Sequence, residues 1–550
     1  MATRERGQRR GRRGSAPARR STVSAHRART RVAHDQVATA LDVTPGRGAI
    51  LAVLCVAVLV INLDGTILNV ALPRIVATLH ATSSQLQWIV DAYVIVLAGL
   101  LLIAGSLGDH LGRKWVFVGG LAAFGVGSAL SAFAGTPHDL IGARAFMGVG
   151  AAAIMPSTLS ILTNVFTEPQ QRARAIGLWS GTNGLGLAIG PTVGGWLLAH
   201  YWWGSVFLIN VPVALVTGMA ALFIIPDSKN HLAAPPDLVG AGASLVGIGL
   251  LLWGIIEGPT RGWGSVGIVA SLVGALGVIG ALVLWERHSE HPLLEMSFFR
   301  ARRFSVAMAG LGLTIFALAG AMFLLTQYLQ FCLGYSALAT GLRITPIAVV
   351  LVVVAGASSI AVRAVGTKVV VVVAMVLIAA GLAMLSALDT QSTYVSALPA
   401  FFLLGIGTGL AVAPCTDSVM GSVPLDLAGV GSATNSTALQ IGSALGVAVL
   451  GSLLNTRYQQ AMTALLSHYA VPRAAARAAV GSLGGAITVA QGAGGPLGDQ
   501  LAHAARRSFV EAMGFSFTVG AVIVGAAALL VLVLLPARPS GEGSVALGDE

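Results

Sequence analysis

The sequence predicts an all-α membrane protein of fourteen spans, built as two six-helix halves with two helices inserted between them. Three observations carry this. The 550 residues are 55% hydrophobic and only 10% charged, with mean hydropathy +0.82, whereas a soluble domain carries about 25% charged residues. Apolar stretches of bilayer-crossing length, about 20 residues, recur along the whole chain. The basic residues between those stretches alternate from one loop to the next, as the positive-inside rule requires.

In order, the spans are expected near 49–73, 85–107, 115–135, 139–163, 175–199, 204–226, 237–257, 264–286, 304–329, 338–362, 368–388, 395–418, 430–454 and 509–536. With a cytoplasmic N-terminus, the short inner loops hold eleven basic residues, from Arg113 and Lys114 to Arg363 and Lys368. The short outer loops hold two, Arg74 and Arg261. An odd number of spans would scramble this bias, so both termini are expected in the cytoplasm, with the protein in the bacterial cytoplasmic (inner) membrane. Segment 455–508, with five arginines, is read as a long outer loop, and long translocated loops largely escape the rule.

Twelve of the 33 Lys+Arg residues lie in the first 47 positions. That stretch is poor in apolar residues and reads as a disordered basic cytoplasmic tail near anionic lipid. It lacks the short apolar core of a signal peptide, and nucleic acid is not an expected partner. Cys55, Cys332 and Cys415 all fall in apolar segments and read as small core residues, with no disulfide or metal framework.

A faint repeat divides the chain. "GDHLGRKWVF" at 108–117 follows span 2 and "VRAVGTKVVV" at 362–371 follows span 10, aligning Gly112 with Gly366 and Lys114 with Lys368. Two parallel six-helix repeats are a transporter plan. The expected domains are a tail at 1–47, a first bundle at 48–226, two inserted helices at 227–286 and a cytoplasmic linker at 287–303. A second bundle at 304–536 and a tail at 537–550 complete the chain.

"GSLGDHLGRKW" at 105–115 sets Gly105, Gly108 and Gly112 around Asp109 and the pair Arg113–Lys114. Acid and base can pair across such a loop and with neighbouring helix ends, as a cytoplasmic latch; the alternative is an ordinary basic loop. The stretch resembles the signature loop of the major facilitator superfamily, G-x-L-x-D-x-x-G-R-K. "LDGTILNVALPRI" at 63–75 resembles the first-helix motif of that superfamily's fourteen-helix drug:proton antiporters. "LIGARAFMGVGAAAIMPS" at 140–157 resembles the fourth-helix motif, with Arg144 as its arginine. "GLGLAIGPTVGGWL" at 184–197 resembles the fifth-helix motif of exporters, met by Gly186, Gly190, Pro191, Gly194 and Gly195. The resemblance runs from about residue 49 to 536.

Residue physics stands beside it. Gly186, Gly190 and Gly194 share one helix face and admit a close backbone, while Pro191 removes a helix hydrogen bond and is expected to bend the chain. Gly442 and Gly446 repeat only the packing half of this in span 13. An acid within an apolar span is a functional hypothesis by default. Asp64 lies about 9 residues before the outer end of span 1, roughly 13 Å at 1.5 Å per residue. Asp91 and Arg144 lie closer to the outer surface. Burial raises a carboxyl pKa and a nearby arginine lowers it, so such a group can titrate near neutral pH. The resemblance assigns proton coupling to Asp64 and Arg144. Asp91 is open between a second coupling acid, an attractor for cationic cargo and a solvated headgroup-level residue.

A substrate cavity is expected to involve Asp91, Trp88, Tyr93, Asn435 and Gln440, with Trp179, Phe323, Tyr328 and Phe331 as packing or stacking aromatics. Glu257 and Asp417 fall at span ends, where snorkelling or solvation explains them. Arg343 in "GLRITP" has an open role. Acids deep in spans 10 and 13, present in some exporters of dications, are missing, which disfavours dicationic cargo.

No phosphate loop G-x-x-x-x-G-K-[ST] occurs, since the only lysines are Lys114, Lys229 and Lys368; an ATP-driven pump in this chain alone is excluded. His468, Asp499 and His503 have no useful catalytic spacing, so an enzyme is not expected. The reading is a proton-coupled exporter of amphipathic or cationic drugs, functional as a monomer, using the proton gradient and no cofactor or metal. Export of an endogenous antibiotic, siderophore or lipid is the alternative, and import on the same fold is a more distant one.

Overall fold

Glycines and capping side chains divide the chain into helices. The structure, a computed structural model, describes residues 46–229, 236–289, 292–424, 427–468 and 471–535. The tail at 537–550 and nearly all of 1–47 lie outside the described residues. Helices α1 (Arg47–Leu79), α2 (Ser83–Leu111), α3 (Arg113–Ala132), α4 (Pro137–Val165), α5 (Pro169–His200) and α6 (Ser205–Ile224) form a first group. The hairpin of α7 (Leu238–Arg261) and α8 (Val266–His288) follows. The second group contains α9 (Arg302–Cys332), α10 (Ala337–Val365), α11 (Thr367–Ser386), α12 (Tyr394–Met420), α13 (Ala428–Leu466) and α16 (Gly495–Leu534). Between its last two members lie the short helices α14 (Arg473–Gly481) and α15 (Leu483–Ala493).

Among the described residues, thirteen helices are long and apolar enough to cross a membrane. The remaining span-length helix is α5, whose 32 residues suffice but whose glycines, Arg172, Arg174 and Asn183 make it less apolar. Thr82 with Gln85, and Thr136 with Asp139, close capping boxes at the starts of α2 and α4, satisfying backbone donors that lipid cannot. Gly112 has φ 107° and joins α2 directly to α3; Gly366 has φ 85° and joins α10 to α11. Only glycine adopts this left-handed backbone at little cost. The weak sequence repeat thus corresponds to one shared piece of backbone geometry.

Packing repeats as well. A Cβ on Gly186 or Gly194 would stand within 2.9 Å of Asn62 or 2.5 Å of Ile67, and one on Gly190 would strike Thr66. The glycine face of α5 therefore lies on α1. In the second group, Gly442 and Gly446 lie against Gly312 and Phe316, setting α13 on α9 in the same manner. The hairpin is no loose insertion. Leu245 of α7 packs on Gly99 of α2, and the Ser452 hydroxyl of α13 donates to the Ile255 carbonyl of α7 (2.7 Å).

Links between the two groups gather toward one end of the bundle. The hydroxyls of Thr192 (α5) and Thr345 (α10) are 2.8 Å apart, and the backbone of α10 at Gly341 presses on Pro191. The Gln87 amide of α2 donates to the Val447 and Ala448 carbonyls of α13, each at 3.0 Å. The Gln330 amide of α9 donates to the Val70 carbonyl of α1 (2.9 Å). Beyond the contact of Gly184 with Val352, toward the opposite end, which carries Gly112 and Gly366, α5 and α10 part: a Cβ on Gly177, Gly181 or Gly356 would meet nothing within 4 Å, and Leu178 and Ile360 are exposed.

Two expectations need correction. Segment 455–508 is mostly helix, because α13 and α16 extend well beyond the bilayer-length estimate and α14–α15 fold between them. These added turns are alanine-rich with arginines, so hydropathy ended the spans where the helices did not end. Likewise, α1 reaches Leu79, placing Asp64 near the middle of its helix and deeper than the sequence estimate.

Candidate functional site

Five helices meet around Asp64. One carboxylate oxygen is 2.5 Å from Nη1 of Arg144 on α4, and the other accepts from Nδ2 of Asn210 on α6 (2.9 Å). Asn210 also reaches the Ser128 hydroxyl of α3 (3.4 Å). Nε of Arg144 donates to the Ile89 carbonyl of α2 (3.2 Å), and the guanidinium lies 4.2 Å from the Tyr93 ring centroid and 5.8 Å from that of Phe207. Asp64 and Arg144 are 0% and 1% exposed. Such a pair survives burial only with good geometry and satisfied remaining hydrogen-bonding capacity, which Asn210, Ile89 and the Tyr93 face supply. Asn210, Phe207 and Ser128 were not anticipated from sequence, because nothing local marks an ordinary asparagine as the partner of an acid far away in the chain.

Asp91 is equally buried, which removes the solvated headgroup-level alternative, and neither of its oxygens has a hydrogen-bond partner. It is not brought into the Asp64–Arg144 pair. Gln87, one turn earlier, reaches α13, and Trp88 donates to Glu257 of α7 (3.2 Å). Asp91 therefore faces the seam of α2, α7 and α13, where a negative charge would be uncompensated.

The 105–115 loop closes on its own group. Arg113 pairs with Asp109 (2.6 Å), Lys114 donates to the Leu222 carbonyl near the end of α6 (2.6 Å), and the Arg113 amide donates to the Ser228 carbonyl (3.1 Å). A Cβ on Gly112 would stand 2.8 Å from Asp227, while Gly105 lies beside Pro156 at an ordinary contact distance. In α5, Gly186, Gly190 and Gly194 meet α1, Gly195 meets Ala337 and Leu338 of α10, and the helix runs unbroken through Pro191.

A cavity of about 460 Å³, its open mouth included, lies between the groups. Its lining includes Thr66, Asn69, Leu187, Thr326, Ile344 and Ala348. None of the five residues expected to form a substrate cavity lines it. Trp88 is engaged with Glu257, Tyr93 stacks on Arg144, and Asn435 is buried on α13 with its carbonyl oxygen unpartnered; Gln440 lies half-buried on the same helix. The other aromatics act as packing: Phe323 is buried, Trp179 donates to Thr158, Tyr328 to the Asp389 carbonyl, and Phe331 meets Gly484. Glu257 is held by Trp88 and Arg261 rather than simply solvated. Arg343 lies over the Tyr335 ring at 3.9 Å. All three cysteines are free.

A model of the Major Facilitator Superfamily matches residues 54–447. The chain belongs to this superfamily. As a major facilitator protein it is a transporter and not an enzyme, with an all-α multi-pass membrane fold. It is 35% identical over 494 residues to the multidrug efflux pump LfrA of Mycolicibacterium smegmatis, covering 89% of this chain and 96% of that one. It is 33% identical to the tetracenomycin C resistance and export protein of Streptomyces glaucescens, covering 89% and 92%. A bacterial homolog of the human lysosomal transporter Spinster superposes with TM-score 0.63 at 16% identity, covering 90% of this chain and 99% of that one. A D-xylose–proton symporter superposes with TM-score 0.58 at 13% identity, covering 89% and 98%. These distant structures share the major facilitator fold.

Proposed function

We propose that this protein is a proton-coupled exporter of amphipathic or cationic drugs and antibiotics across the bacterial cytoplasmic membrane. Relatives named for multidrug efflux and antibiotic export, aligned over most of both chains, support the export class. The observation that carries the coupling is the Asp64–Arg144 pair. It is sealed inside the first group, away from the cavity between the groups, where no drug-sized molecule can touch it. A group that deeply buried can exchange only with something as small as a proton.

In the proposed cycle, the end carrying Gly112 and Gly366 is cytoplasmic, as are both termini, because the basic loops lie there. The conformation described is then inward-open, with cargo entering from the cytoplasm or inner leaflet. Protonation of Asp64 releases Arg144 from its ion pair and lets α1 and α4 shift against each other. Asp91, dry while α2 and α13 are clasped, is a second acid that the seam would wet when the far end opens. The Asp109–Arg113 pair and Lys114 form the cytoplasmic latch, and the glycine face of α5 is the sliding surface. The two bundles are assigned to 48–226 and 304–536, with 227–286 inserted. The transporter works as a monomer and needs only the proton gradient.

The test is dye efflux from energised cells, using ethidium and the uncharged Nile red, with wild type and Asp64→Asn at matched membrane levels. Gradient-dependent extrusion by wild type, abolished by a protonophore and by Asp64→Asn, is expected. Undiminished pumping by the variant would remove Asp64 as the coupling group.

A further inference from the structure

The cavity between the two groups has a composition that separates it from both buried acids. None of its twelve lining residues is charged, and none is aromatic. A cation seated there would find neither a carboxylate nor an aromatic face, the two features that compensate its lost hydration. Asp64 is turned away toward Arg144 and Asn210, and Asp91 toward the α7–α13 seam. At the open end, α5 and α10 expose Arg174 and Arg363, with the exposed Glu168 capping α5, so no net acidic charge there draws cations in.

The polar atoms in the lining are mostly acceptors. The Thr66 hydroxyl donates to the Leu63 and Asn62 carbonyls (3.1 and 3.2 Å), and the Thr326 hydroxyl to those of Met322 and Phe323 (3.1 and 3.2 Å). Thr66 also reaches the Gly186 carbonyl of α5 (3.4 Å), so both hydroxyl hydrogens are taken by backbone carbonyls, leaving oxygen lone pairs. Pro191 has no N–H to give the Leu187 carbonyl. Asn69 spends one amide hydrogen weakly on Gly65 at 3.5 Å, leaving its side-chain oxygen and a single N–H. The rest is aliphatic or thioether, Ala348 and Met322 among them. Helices α1, α5, α9 and α10 all contribute lining residues, so both groups feel the occupant.

Resting on the export reading above, we infer that this cavity is the cargo site and that it selects uncharged, largely apolar molecules carrying hydroxyl or N–H donors, in preference to cations of the same shape. The acids of the first group serve the coupling ion alone and contribute nothing to cargo charge recognition.

The test is equilibrium binding to the full chain in nanodiscs, without any gradient and with empty nanodiscs as blank. The probes share one ring system: a hydroxyanthraquinone held neutral at pH 6, its O-methyl ether, and its trimethylammonium derivative. The neutral phenol is expected to bind about tenfold or more tighter than either analogue, each tenfold being about 1.4 kcal/mol. Ala348→Phe, which fills the cavity, and Asn69→Ala, which removes an acceptor without adding bulk, should each weaken the phenol while leaving the melting temperature near that of wild type. Binding of the ammonium probe as tightly as the phenol, insensitivity to both variants, or no specific binding of the phenol would each overturn the inference. Because binding needs no gradient, tight phenol binding without gradient-driven flux of any probe would sink the export reading and leave the cavity's selectivity standing. Gradient-driven flux with the ammonium probe bound more tightly would do the reverse.

Discussion

Asp64 and Arg144 lie 80 residues apart in the chain and 2.5 Å apart in space. Each is held by a second partner from another helix, Asn210 for the acid and the Ile89 carbonyl for the base. The pair therefore ties α1, α2, α4 and α6 together, and its two members respond differently to substitution.

Arg144→Gln leaves a buried carboxylate with only Asn210, and breaking a buried pair from one side costs about 3–5 kcal/mol. Asp64→Asn keeps the shape but strands the guanidinium. Both variants should lose gradient-driven transport, and the double variant Asp64→Asn/Arg144→Gln should regain thermal stability over Arg144→Gln while remaining inactive. Melting of purified proteins alongside proton flux in vesicles checks this; a double variant no more stable than the single one would mean the two groups do not pair.

Asn210→Ala should weaken the anchoring of the acid by about 1.5–3 kcal/mol, the range for a hydrogen bond to a charged group. Transport is expected to fall by kcat with little change in KM, because Asn210 does not line the cargo cavity. A rise in KM alone would place Asn210 in cargo binding.

The glycine face of α5 offers an internal control. Gly190→Ala drives a methyl into Thr66, and overpacking of this kind costs about 1–3 kcal/mol. Gly181→Ala meets nothing within 4 Å and should leave stability unchanged or slightly raised, alanine being the better helix former. Thermal melts of the two variants should differ by several degrees. Equal melts would show that α5 does not bear closely on α1.

Closure at one end predicts a cross-link. After Cys55, Cys332 and Cys415 are replaced by alanine or serine, Thr192→Cys with Thr345→Cys should form a disulfide readily when copper phenanthroline is added as oxidant, since the native hydroxyls stand 2.8 Å apart. Oxidised protein should be locked and inactive, and reduction should restore transport. Full activity while oxidised would mean that α5 and α10 need not separate there.

Much of this was legible in one dimension. Hydropathy marked the spans because lipid accepts only helices whose backbone bonds are internal, and the loop 105–115 was visible because a left-handed junction demands Gly112. Asp64 and Arg144 stood out because an isolated charge in an apolar span is costly. Asn210 did not, since a neutral amide costs little to bury and carries no such signal. Asp91 was visible as an acid yet misjudged in its surroundings, because depth along a helix does not reveal which neighbour its face meets.

The sequence by itself determined the spanning helices, the transporter class, and the placing of Asp64 and Arg144 as charges within apolar spans. Those features follow from local hydropathy, glycine conformation and the energetic cost of charge in lipid, each written in a short stretch of chain. Only the tertiary structure decided that the acids turn away from the cavity, that the cavity is lined by uncharged aliphatic and acceptor groups, and that the inserted hairpin closes the seam over Asp91. These depend on how each helix is rotated about its axis against distant partners. That rotation is fixed by close glycine contacts and hydrogen bonds between helices, which no single span encodes.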